Sequence, residues 1–82
     1  MALYFFHLRN GGDTLLDPDG RKLAFGAVPG AAVREALAII SADARDGRID
    51  LGQSIDVEDS KGSVIHHLDF RDAVEIVGND SQ

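Results

Sequence analysis

A chain of 82 residues with no cysteine and 44% apolar residues is one globular domain near the lower size limit for independent folding, with no disulfide or thiolate staple. That apolar content excludes global disorder. The formal charge of −6 is unevenly placed: residues 1–49 hold six acids and six bases, whereas residues 50–82 hold eight acids and two bases. An acidic half repels phosphate backbones, so nucleic-acid binding is not expected. The apolar opening, residues 1–8, is too short to span a bilayer, and Arg9 follows rather than precedes it. No signal peptide or membrane anchor is expected, and the cytoplasm is the default location.

Leu3-Tyr4-Phe5-Phe6-His7-Leu8 is a run of β-formers without clean alternation, which suits a central strand. Asn10-Gly11-Gly12 reverses the chain into a hairpin. Thr14-Leu15-Leu16 and Arg21-Lys22-Leu23 are short arms on either side of Asp17-Pro18-Asp19-Gly20. In that tetrad the Asp side chain opens a tight turn, and the Gly closes it in a left-handed conformation. Residues 25–28 are a linker, and Pro29 is suited to a first helical turn. The spacing predicts a helix over residues 29–47, about 28 Å long, stopped by Gly47. Its apolar stripe is read as Val33, Ala36, Leu37, Ile40 and Ala44, with Ile39 to one side.

The Asp-x-x-Gly signature recurs at Asp59-Ser60-Lys61-Gly62, between Ile55-Asp56-Val57-Glu58 and the run from Val64 to Phe70. A four-residue loop would pair Glu58 with Ser63 and Val57 with Val64. That register places the valines on one face, with Val64, His66, Leu68 and Phe70 inward. His67 then lies on an acidic face beside Asp56 and Asp69. Ala73-Val74-Glu75-Ile76 reads as an edge strand or a helical turn. Residues 1–78 form the domain, and residues 79–82 a frayed polar tail.

Few residues carry chemistry. His66 and His67 are adjacent on a strand, so their rings point to opposite faces and do not chelate one ion. His7 has no serine or cysteine nucleophile near it in sequence; as a general base it would look to Asp13 or Asp17. Asp17 and Asp19 do not fit a calcium loop, because the twelfth position is Gly26. No glycine-rich phosphate cradle is present. No catalytic, cofactor-binding or metal-binding residue is therefore expected, and no cofactor. One helix covers one face of a small sheet, which leaves the opposite face of the first strand to water or a partner. Leu3, Tyr4, Phe5, His7 and Ile65 are the expected interface residues.

Tyr4-Phe5-Phe6-His7-Leu8, Asp17-x-x-Gly20, the alanine-rich helix, Gly47-Arg48, Val57-x-Asp59-x-x-Gly62-x-Val64 and Leu68-x-Phe70-x-Asp72-Ala73-Val74 together resemble a family of short uncharacterised bacterial proteins, a domain of unknown function. The resemblance implies a compact one-domain protein and brings no activity, cofactor or catalytic residue with it. The fold expected is α+β: a small, mainly antiparallel sheet from two β-hairpins with one long helix across a face, of ββαββ type. The function expected is a small non-catalytic interaction or regulatory module, acting as a homodimer or with an unknown protein partner, without nucleic acid or membrane. The alternatives are a ligand-binding or enzymatic protein using His7 and nearby carboxylates, and nucleic-acid binding through Arg34, Arg45 and Arg48 on or beside the helix. A concave pocket at His7 would favour the enzyme; a flat apolar patch at Phe5 would favour the interface.

Overall fold

A computed structural model describes residues 1–75. Strands β1 (Ala2–Asn10), β2 (Asp13–Leu15) and β3 (Arg21–Leu23) precede a 3-10 turn (Phe25–Ala27) and helix α1 (Val28–Arg45). Strands β4 (Gln53–Glu58) and β5 (Val64–Asp69) follow, and a second 3-10 turn spans Phe70–Asp72. All pairings are antiparallel, in the order β2-β1-β4-β5, with β3 also on β1. The architecture is α+β, and β1 is central, as its run of β-formers requires.

The two Asp-x-x-Gly tetrads play different parts. Asp59–Gly62 lies in the tip of the β4–β5 hairpin, closed by Asp59 N–H to Ser63 O and Gly62 N–H to Asp59 O. Asp17–Gly20 interrupts an edge. Strands β2 and β3 do not pair with each other but lie end to end along β1, with Leu8 opposite Leu15 and Tyr4 opposite Arg21. Four steps along β1 face six along the edge, so the tetrad bulges outward with two extra residues.

The hairpin register differs from the one expected. Glu58 faces Val64, Val57 faces His66, and the irregularity between them leaves Ile65 as an extra residue. The loop therefore takes in Ser63, whose N–H reaches the Asp59 carboxylate. The bulge restores the expected side-chain facing from His66 onward, but Val64 turns to the open face and is 54% exposed.

The helix begins one residue earlier than predicted and has no side-chain N-cap; Gly47 stops it at φ 81°. Its buried face is Val28, Ala31, Ala32 and Ala36, with Ile39 packed beside them, and Leu37 is 38% exposed. Of the expected stripe, Ala36 lies in the buried face and Ile40 packs against the core, whereas Leu37 stands on an exposed flank. Large side chains from the sheet (Tyr4, Phe6, Ile55, Val57) and Phe70 fill the core. Beyond Val28 in its first turn, the helix meets them with Ala31, Ala32 and Ala36, where the large side chains leave little room. The element expected at residues 73–76 is a turn at Ala73 followed by irregular chain to Glu75. Ile76 and the tail at residues 79–82 lie outside the described residues.

Candidate functional site

Two surfaces are the candidates. The first is the sheet face away from the helix. Alternation sends Tyr4, Phe6 and Leu8 toward the helix, and Leu3, Phe5, His7 and Arg9 to the other side. From β4, Asp56 and Glu58 join them; from β5, His67 and Asp69 do. Asp56 is buried and central. Its Oδ2 accepts from Arg9 Nη1 at 3.0 Å, and its Oδ1 pairs with His67 Nδ1 at 2.5 Å. The other ring nitrogen of His67 pairs with Asp69 Oδ1 at 2.9 Å. A carboxylate sits at each nitrogen, an arrangement that favours the imidazolium, in which both nitrogens donate. Those two hydrogen bonds, to Asp56 and then Asp69, outweigh partial burial and raise the His67 pKa. Burial works to raise the Asp56 carboxyl, but His67 and Arg9 overcome it, and its pKa is lowered.

His7 is held on the same face by a different route. The Asp17 N–H donates to His7 Nδ1 at 3.0 Å, which leaves the ring proton on Nε2, facing Glu58 Oε1 at 3.4 Å. Phe5 stacks on the ring at 6.3 Å between centroids. As a general base His7 would look to the carboxylate of Asp13 or Asp17; Asp17 instead meets the ring with its backbone N–H. The carboxylate is occupied elsewhere: Oδ2 accepts from Phe6 N–H, and Oδ1 from Asp19 and Gly20 N–H. Burial pushes the Asp17 carboxyl up, but these three donors and the Arg21 charge prevail, and its pKa is lowered. Both His7 nitrogens face groups of the fold, so the ring is a brace between the β1 edge and β4. Among the described residues no cluster of three or more His, Asp or Glu side chains is arranged to hold a metal ion.

The expected interface residues do not share a surface. Leu3, Phe5 and His7 face the polar side, Tyr4 is buried under the helix, and Ile65 packs against the core. The face around Phe5 is a charged network rather than a flat apolar patch.

The second surface was not foreseen. On the helix side, α1 packs over β4 and β5; Tyr4 and Phe6 of β1 are buried, and the strip beyond them, above Leu8 and β2, is open. A groove of about 480 Å³ runs there, floored by Phe6 and Leu8 and walled by Leu15, Leu16 and Ile39. Leu15 and Leu16 are 70% and 65% exposed. Arg21 closes one wall: its guanidinium lies 4.5 Å from the centroid of the Phe6 ring and pairs with Glu35 of the helix. A second cleft of about 270 Å³ shares Leu8 and Ile39 and extends the groove toward Asp43 and Asp50. The sequence signal was Leu15-Leu16 itself, two consecutive leucines on an arm too short to bury both.

Among the described residues one segment, Phe25–Arg45, is long and apolar enough to cross a membrane by length and composition; it includes the helix that packs on the sheet. No curated protein and no solved structure matches the chain significantly. A family match covers residues 3–71, from the first strand into the second 3-10 turn. The chain belongs to the family described as domain of unknown function DUF6894.

Proposed function

We propose that this domain is a small, non-catalytic interaction module of the cytoplasm that binds another protein, or a second copy of itself, through the open half of its helix-side sheet face. The observation that carries this reading is the groove over Phe6 and Leu8, with Leu15 and Leu16 standing exposed on its wall. A small domain gains proportionately from covering such a strip. The engagement of both His7 nitrogens within the fold supports a structural histidine over a general base. The net charge of −6 supports a protein partner over a nucleic acid.

Light scattering over a concentration series, alone and with proteins co-purified from the native cell, tests the proposal. Leu15→Ser/Leu16→Ser keeps the parent's circular dichroism and loses association, whereas Phe5→Ser keeps association. Undiminished association of the double variant overturns the groove as the binding surface.

A further inference from the structure

We propose that the occupant of this groove is an amphipathic helix of another protein, carrying lysine or arginine on either side of its apolar stripe. The inference rests on the interaction reading above and adds the chemistry of the partner.

Width points to a helix. Neighbouring strands lie about 4.8 Å apart, and a helix with its side chains is about 10 Å across, so one helix covers about two strands. Helix α1 takes β4 and β5. With Tyr4 and Phe6 already buried, the Leu8 end of β1 and strand β2 offer a second berth, beside α1 and on the same layer. Length agrees: the floor from Phe6 to Asn10 spans about 13 Å of strand, which is about two and a half helical turns.

Charge points to a basic helix. The two adjoining clefts are lined by five acids: Asp17, Asp19, Glu35, Asp43 and Asp50. Among the described residues their lining bases are Arg21 and Arg48. Arg21 is paired with Glu35, and Arg48 lies 3.8 Å from Asp50. Asp17, Asp19 and Asp43 have no cation within salt-bridge distance among the described residues. Asp17 is met by three backbone N–H groups and the Arg21 charge, so the uncompensated acids stand at the two ends of the groove, Asp19 by the bulge and Asp43 by the last helical turn. An apolar floor with anions at each end selects an apolar stripe flanked by cations and disfavours an acidic helix.

Two synthetic peptides of about 15 residues, long enough for marginal helicity, test this. They share leucines at i, i+3, i+4 and i+7; one has lysine at the polar positions, the other glutamate. With methyl-labelled protein, the lysine peptide is expected to shift Leu8, Leu15, Leu16 and Ile39. At about 50 mM salt it binds at least about tenfold more tightly than the glutamate peptide, and the gap narrows at about 0.5 M. Asp19→Asn/Asp43→Asn abolishes the gap. Asp72→Asn/Glu75→Gln, which removes the same charge outside the groove, preserves it. Equal binding of the two peptides, shifts confined to other surfaces, or no binding overturns the basic-helix proposal. The broader reading fails separately. Groove methyls of the protein alone that move with concentration, and stop moving in Leu15→Ser/Leu16→Ser, identify a second copy as the occupant: the basic helix is then wrong and the interaction module right.

Discussion

Asp17 completes a ladder that the chain leaves broken. Between the β2 and β3 pairings, β1 has no strand beside it on that edge, and the Asp17 carboxylate accepts the Phe6 N–H in place of a backbone carbonyl. The same side chain folds its own loop by accepting from Asp19 and Gly20. Asp17→Ala leaves these donors unmet and costs roughly 1–3 kcal/mol in urea unfolding. An unchanged midpoint would show that water replaces the carboxylate without loss. Gly20 is tied to the same contact. Its φ is 72°, and a Cβ there would lie 2.9 Å from the Tyr4 carbonyl and about 3 Å from Phe5. Gly62 has φ 84° but open space around it. Gly62→Ala therefore carries backbone strain alone, on the order of 1 kcal/mol, while Gly20→Ala adds a clash with backbone that cannot swing away. Gly20→Ala is the more destabilising of the two, and equal melting temperatures would remove the argument from close approach.

At the scale of the element, the helix is where the sequence misleads. The stripe read from the sequence, Val33, Ala36, Leu37, Ile40 and Ala44, meets the core at Ala36 and Ile40, but the buried face is Val28, Ala31, Ala32 and Ala36, with Ile39 beside them. A hydrophobicity pattern weighs leucine above alanine, whereas the sheet, already filled by Tyr4, Phe6, Ile55 and Val57, is met along the middle of the helix by Ala31, Ala32 and Ala36. Leu37→Ala thus costs well under the roughly 2–5 kcal/mol of a buried leucine. Ala32→Leu, at a fully buried position, costs roughly 1–3 kcal/mol by overpacking. Thermal melts with the opposite ranking would return the core to the Leu37 flank. What was legible was what local chemistry decides: the hairpin at Gly11, the left-handed glycines at positions 20, 47 and 62, and the placing of His67 between Asp56 and Asp69. What was not legible depends on three dimensions. The Ile65 bulge and the end-to-end docking of β2 and β3 are set by packing across strands. The groove exists because one helix is narrower than the sheet beneath it.

Across the whole molecule, the open sheet face is bound together by charge instead of by a second layer. Arg9 on β1, Asp56 on β4, and His67 and Asp69 on β5 form one chain of contacts over three strands. Its stability must follow pH, because folded and unfolded states hold protons differently. The His67 pKa is raised from an ordinary value of 6.5; its contribution is therefore complete below about 6.5 and is lost as pH climbs through the folded value. The Asp56 pKa is lowered from 3.8; its contribution is complete above that value and is lost as pH falls through the folded one. The Asp17 pKa is lowered as well, and its contribution is lost on the same acid side. Stability is thus highest between about pH 4 and 6.5 and declines on both flanks, from opposite causes. His67→Gln separates them. Without an ionisable ring at that position, the urea midpoint loses its decline on the alkaline flank, while the acid decline, carried by Asp56 paired with Arg9 and by Asp17, persists. Half of the His67 side chain is exposed, so the alkaline effect is modest and weakens further with added salt. An alkaline decline of the same size in parent and variant would show that β5 is held to β4 by its backbone ladder alone, with the imidazolium a passenger on the surface.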